Sequence, residues 1–192
     1  MNAPLTRAAE GLDRWAFTVA EVERMVEAGV IPPDARIEVI GGEIVPMSPK
    51  GARHELIKVA LNFRWIKRCP EGYLVAPETG LRLDEHTYLE PDFVIFEESV
   101  GLTSLRGPQV LLAVEVADSS LDYDLRHKPA VYAKFGVREL WVVDAKRRLV
   151  HVHTRPSPEG YSETIVRQAS ERLAPTEVPQ EFSIALDDLK PR

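Results

Sequence analysis

Residues 91–96 read P-D-F-V-I-F, residues 110–117 read V-L-L-A-V-E-V-A, and residues 118–128 read D-S-S-L-D-Y-D-L-R-H-K. The first two are short apolar runs rich in Val, Ile, Leu and Phe, which predicts two neighbouring buried strands. Each carries one carboxylate: Asp92 opens the first run and Glu115 lies inside the second. Glu115 decides the reading. It stands between Val114 and Val116, after Leu111, Leu112 and Ala113, and an unpaired carboxylate buried there is costly or is driven neutral. A strand that keeps it needs a cation close by. The third run is predicted to be helical, with Leu125, Val131, Tyr132 and Phe135 inward. Lys128 is three after Leu125 and four before Tyr132, hence on their face. Its ammonium either snorkels past the core or reaches the sheet where the acids lie. Pro129, directly after it, strains or restarts the helix.

Working outward, Thr18 and Glu21 form a capping box, and V-A-E-V-E-R-M-V-E-A-G predicts an amphipathic helix ended by Gly29. R-I-E-V-I, Gly41-Gly42 and E-I-V-P-M predict a β-hairpin. Glu38 and Glu43 alternate with apolar residues there, as on a solvated strand face, and Glu38 is also a candidate for the edge of a site. S-P-K-G-A-R-H-E-L-I-K-V-A-L-N-F-R-W-I-K-R becomes a helix near Arg53, with Leu56, Ile57, Ala60, Leu61 and Trp65 as its buried stripe. Its other face is basic. Arg53, Arg64 and Lys67 are candidate phosphate contacts, against the plainer reading of a solvated face. His54, in the first turn, is a candidate at the edge of the site or a structural hydrogen-bonder. G-Y-L-V-A and T-G-L-R-L predict short strands, V-R-E-L-W-V-V-D a buried strand, and L-V-H-V-H-T its hairpin partner. Y-S-E-T-I-V-R predicts one more strand, and a short helix is expected near 184–189.

A chain of 192 residues, 44% hydrophobic and 28% charged, has the means to build one domain with a true core. The single cysteine, Cys69, excludes an internal disulfide framework and fits a reducing cytoplasm. No run is long and apolar enough to span a bilayer or to serve as a secretory h-region. The formal charge of −6 argues against a protein that coats nucleic acid generally, although carboxylates gathered around a metal would add to it.

Two carboxylates from adjacent strands, with backbone carbonyls, form the oxygen set preferred by Mg²⁺ or Mn²⁺. One Cys and widely scattered His residues leave zinc without ligands; His151 and His153 are only two apart on a predicted hairpin. No G-x-x-x-x-G-K-[ST], G-x-G-x-x-G or G-x-S-x-G motif is present. A metal held by Asp92 and Glu115 would polarise a phosphate and activate a water as nucleophile. Lys128 would orient that water or offset charge on the phosphate oxygens. The alternatives are structural: a loop-capping Asp92, a Glu115 paired with Lys128 or an arginine, and turn or cap roles for Asp118, Asp122 and Asp124. Because clustered carboxylates without a cation repel one another, Glu115→Gln is expected to melt at or above wild type when metal is absent. A Glu115 locked in a structural ion pair would give the opposite sign.

The ordered set E-V-I-G-G-E-I-V-P-M-S-P (38–49), R-H (53–54), P-D-F-V (91–94), V-E-V (114–116), Asp124, Lys128, Tyr132 and F-G-V-R-E-L-W-V-V-D (135–144) resembles the Uma family of restriction endonucleases, within the PD-(D/E)-x-K nucleases. The likeness spans roughly residues 18 to 155. It implies a restriction-endonuclease-like α/β fold, a metal-dependent endonuclease activity, DNA as substrate, and a site of Asp92, Glu115 and Lys128. One departure stands out: Ala117 occupies the place of the motif lysine, and the resemblance implies that Lys128, from the following helix, takes over.

The expected architecture is therefore a mixed β-sheet core flanked by helices, with an N-terminal helix and β-hairpin. An arm (1–17), a main domain (18–170) and a tail packed on it (171–192) are expected. The expected function is a Mg²⁺- or Mn²⁺-dependent DNA endonuclease; the alternative is a non-catalytic nucleic-acid-binding or interaction protein on the same fold. Cutting both strands of a duplex calls for two sites, hence an expected homodimer, joined through the 147–154 hairpin or the C-terminal segment.

Overall fold

The computed structural model describes the backbone of residues 5–7 and all of residues 11–189. The remainder of the expected arm and the last residues of the expected tail fall outside the described residues. The chain divides into two compact units, one of residues 1–48 with 80–90, the other of residues 49–79 with 91–192.

In the first unit, β1 (Leu5–Arg7) pairs antiparallel with β2 (Asp13–Trp15). Helix α1 (Val19–Glu27) starts at the capping box read from the sequence: Thr18 Oγ1 accepts from Glu21 N–H, and Glu21 Oε2 accepts from Thr18 N–H. β3 (Ile37–Ile40) and β4 (Glu43–Pro46) form the expected hairpin. Gly41 and Gly42 both have positive φ, as the turn requires, and a Cβ on Gly42 would strike Ala16. The segment 80–90 was not legible as part of this sheet. Its β6 (Leu81–Arg82) and β7 (Tyr88–Leu89) pair with each other, and β7 joins β3, giving the order β4-β3-β7-β6. Val19, Val22 and Val39 form the small core beneath α1.

The second unit carries a six-stranded mixed sheet, in the order β12-β11-β10-β9-β8-β5. The strands are β5 (Tyr73–Pro77), β8 (Phe93–Glu97), β9 (Leu112–Ala117), β10 (Glu139–Asp144), β11 (Leu149–Ser157) and β12 (Gly160–Gln168). Only β9 and β10 run parallel, and the connection between them holds α3 (Leu121–Arg126) and α4 (Lys128–Lys134). Pro129 does restart the helix: the break falls at His127, and the proline lies in the first turn of α4, where a missing N–H costs nothing. On the other face, α2 (Ala52–Arg68) buries His54, Ile57, Leu61 and Trp65. Trp65 meets Phe93 edge-on at 5.3 Å and Trp141 at 6.3 Å, and its indole N–H donates to Phe182 O at 2.9 Å. Full burial of an aromatic side chain contributes on the order of 3 kcal/mol.

The expected stripe on α2 needs one correction. Leu56 is 55% exposed, and with Val59, Phe63 and Ile66 it forms a second apolar line on the solvent side. Apolar residues at helical spacing lie on two sides of α2, so periodicity alone picks the wrong member beside Ile57. The C-terminal segment adds short 3-10 turns at Gln180–Phe182 and Leu186–Asp188, with Phe182 and Leu186 in the main core.

His153, on β11, is buried with its ring 5.8 Å from that of Tyr161 and its Nδ1 at 2.9 Å from Thr164 Oγ1. Burial, aided by His151, holds it down at about 4, below the usual 6.5. The folded state therefore resists protonation, and stability is lost as pH falls from 6.5 toward 4, by up to about 3 kcal/mol. His153→Phe should flatten the dependence of urea stability on pH between 7 and 4.5. An unchanged slope would assign the acid sensitivity elsewhere.

Candidate functional site

The site begins where two strands part. β8 and β9 pair through Ile95↔Leu112, Val94↔Ala113 and Phe93↔Val114, and since Phe93 is the first residue of β8 the pairing stops there. The next N–H on β9, that of Val116, has no strand to bond, and Asp92 Oδ2 accepts it at 2.8 Å. Asp92 thus substitutes for one rung of the ladder, which fixes its carboxylate beside the backbone of Glu115 and Val116. His54, in the first turn of α2, places Nε2 at 2.9 and 3.0 Å from the two Asp92 oxygens and Nδ1 at 3.1 Å from Glu55 Oε1. Lys50 Nζ lies 3.7 Å from Asp92 Oδ1. A Cβ on Gly51, where α2 starts, would meet Asp118 Oδ2, so the Asp118 side chain would have to shift.

Strand alternation sends Glu115 the other way from Val114 and Val116, which belong to the core beneath α2. Its partners come from α4. Lys128 Nζ donates to Glu115 Oε1 at 2.9 Å, and the Tyr132 hydroxyl donates to the same oxygen at 2.6 Å. Asp124 lies 3.7 Å from Lys128 Nζ and accepts from Ser120 Oγ. Glu115, Asp124 and Lys128 are each 4% exposed. The cation that Glu115 required is therefore Lys128, which reaches inward rather than snorkelling to solvent.

The remaining candidates divide. Arg53 is exposed and lies 3.6 Å from Asp118. Lys67 is exposed over the Phe63 ring. Arg64 turns inward, with Nη2 at 3.5 Å from Ser183 O. Glu38 belongs to the first unit, where it is buried and accepts from Glu90 N–H at 3.1 Å. Two residues that the sequence did not single out join the neighbourhood of Asp92. They are Lys50 and Glu78, whose charged groups are bonded to each other. Glu78 carries a faint signal: it follows Pro77 at the end of β5, and Pro77 pairs with Phe93, so the register brings Glu78 beside Asp92. Its N–H donates to Asp92 O at 3.1 Å.

Among the described residues, no three His, Cys, Asp or Glu side chains converge as a metal cage. The two candidate carboxylates are tied to neighbouring positions of β9: Asp92 accepts the Val116 N–H, and Glu115 is the residue before it. That donor set fits a hard divalent cation, which is commonly bound by one or two carboxylates with water and substrate phosphates completing its shell. It does not fit zinc.

The mixed sheet flanked by helices is the fold class expected from the sequence, a restriction-endonuclease-like core. A crystal structure of a putative nuclease belonging to DUF820 from Anabaena variabilis superposes with a TM-score of 0.64 at 17% identity, covering 90% of this chain and 97% of that one. A family model described as "Uma2: Putative restriction endonuclease" matches residues 19–187, and the chain belongs to that family. The type IIG restriction endonuclease BpuSI matches over 62% of this chain and 14% of its own, at 18% identity and a TM-score of 0.37. Curated protein sequences give no match.

Proposed function

We propose that this protein is an endonuclease that hydrolyses phosphodiester bonds of DNA with the help of Mg²⁺ or Mn²⁺. The observation that carries the reading is Lys128: in a chain whose motif position holds Ala117, an ammonium from α4 is buried against Glu115. A Lys128 directed to solvent would have favoured the non-catalytic reading; instead its charge is buried beside Glu115, which is costly. Asp92 and Glu115 are the residues that would hold the ion. When bound, the ion lends positive charge to the scissile phosphate and acidifies the attacking water. Asp92 is kept in place by the Val116 N–H and by His54. Lys128, fixed by Glu115, offsets the charge that develops on phosphate oxygens, and Tyr132 holds the shared carboxylate oxygen. Arg53 and Lys67, exposed on α2, are proposed phosphate contacts away from the scissile bond. We further propose a homodimer, so that both strands are cut, and a cytoplasmic setting suited to the single cysteine. Among the described residues no helix is long and apolar enough to cross a membrane.

The test is incubation of purified protein with plasmid, with Mg²⁺, with Mn²⁺ and with EDTA. Nicking and linearisation are expected with either ion and none with EDTA. In the same assay Lys128→Ala should slow cleavage by at least about tenfold, or roughly 1.4 kcal/mol of barrier. Cleavage at the native rate by Lys128→Ala would show that another lysine carries the role. No cleavage under any condition would turn the reading toward a nucleic-acid-binding protein.

A further inference from the structure

Asp92 is one member of a closed ring of six side chains in which acidic and basic residues alternate. Lys50 bonds Glu78. Glu78 Oε1 also accepts from Lys58 Nζ at 2.9 Å, Lys58 donates to Glu55 Oε1 at 3.0 Å, and Glu55 meets His54. His54 bonds Asp92, and Asp92 lies 3.7 Å from Lys50, where the ring closes. The two lysines converge on one oxygen, Glu78 Oε1. Their side chains are largely covered, whereas the Glu78 side chain is 43% exposed. Glu55 is exposed to the same extent, so these two carboxylates are the outer members of the ring and the ammonium groups are the more covered ones.

We propose that Glu78 is a built-in stand-in for a nucleic-acid phosphate, occupying between Lys50 and Lys58 the subsite that a backbone phosphate of the DNA substrate takes on binding. The proposal rests on the endonuclease reading above. A carboxylate oxygen gripped by two ammonium groups has the surroundings that a phosphate oxygen would want. Both lysines have a second carboxylate partner, Asp92 for Lys50 and Glu55 for Lys58, so they stay in place when Glu78 swings out. The backbone gives an independent sign. Glu78 has φ 48, in the left-handed region that Gly or Asn tolerates better than Glu. A glutamate there is not explained by the turn, but it is explained by what its side chain holds. The same two lysines keep the carboxyl down at about 2, so it is a full anion at neutral pH and competes with an incoming phosphate.

The functional consequence is restraint. The two lysines are shielded from stray polyanions until a duplex, aligned by contacts elsewhere, displaces Glu78. Lys58 and Lys50 then become phosphate contacts next to Asp92, which ties the grip on the backbone to the carboxylate proposed to hold the ion.

The experiment measures binding of a labelled short duplex in EDTA by fluorescence anisotropy over a range of salt, with the full-length protein. Glu78→Gln should bind about fivefold tighter than wild type, the order expected of one phosphate contact. Glu78→Asn, which removes the charge while suiting the left-handed backbone, should do the same and keep the wild-type melting temperature. Lys50→Gln and Lys58→Gln should each weaken binding and reduce the log–log salt slope by about 0.9. Equal or weaker binding by the folded Glu78 variants, or an unchanged salt slope in the lysine variants, overturns the proposal. Tighter binding by Glu78→Gln with no cleavage in Mg²⁺ or Mn²⁺ would defeat the endonuclease reading and leave the phosphate subsite standing. Intact cleavage with unchanged binding would do the reverse. A failure of every protein to bind the duplex would defeat both.

Discussion

Asp92→Asn is expected to lower metal-dependent cleavage of plasmid by at least about a hundredfold, close to 2.7 kcal/mol of barrier. The size follows from what the charge does. A divalent ion at a scissile phosphate is worth several kcal/mol of transition-state stabilisation, and its hold depends on ionised oxygens. Asn keeps the shape and one acceptor for the Val116 N–H, which Asp92 now bonds at 2.8 Å. It loses the negative charge, and its amide nitrogen cannot accept from His54, whose Nε2 meets both Asp92 oxygens. Some loss of stability is therefore expected as well, and the variant must be assayed well below its own melting temperature. Raising Mn²⁺ should not restore the rate. Full activity of a folded Asp92→Asn protein in excess Mn²⁺ would remove Asp92 from the site.

Glu115→Gln should melt well below wild type in EDTA, by roughly 6–12 °C for a loss of about 3 kcal/mol. Repulsion between clustered carboxylates would have predicted no loss, or even a gain. The Lys128 ammonium at 2.9 Å reverses the sign, because neutralising Glu115 strands a buried cation. Breaking a buried pair typically costs about 3–5 kcal/mol. The lower end is expected here, since Asp124 at 3.7 Å retains part of the attraction. A double variant, Glu115→Gln with Lys128→Met, should recover much of the loss, and the cycle measures the coupling. Metal response separates structure from function in the same samples. Wild type should gain about 2.7 kcal/mol when Mg²⁺ or Mn²⁺ is about 100 times its dissociation constant, and Glu115→Gln little of it. If both proteins melt alike with and without metal, the ion pair is structural and no ion is held there.

Much of the centre was legible because it is local. Alternation and apolar runs place Asp92 and Glu115 on adjacent strands, a proline after Lys128 announces a restarted helix, and Thr18 with Glu21 announces a cap. The lysine–glutamate pairing was legible only as one of two directions for a side chain on a helix face. What escaped depends on register between distant segments. The 80–90 stretch reads as a turn with short strands, and nothing within it says that it pairs with β3. Lys50 and Glu78 are ordinary loop residues in the sequence; they meet because β5 ends where β8 begins. Leu56 was misplaced for a different reason. A helix with two apolar lines gives periodicity no means of choosing between them.

The break at His127 has a consequence for timing. Glu115 arrives with the sheet, but Lys128 and Tyr132 arrive on α4, a helix of seven residues. A helix that short does not persist in water on its own and is held by what it docks against. Sub-global openings that release such elements require less free energy than unfolding of the whole. The interval for which the site stays assembled is therefore set by how often α4 lifts from the sheet, not by how often the sheet comes apart. Amide protons of α4 would exchange on that clock, and their protection would report the fraction of molecules in which Lys128 and Tyr132 meet Glu115.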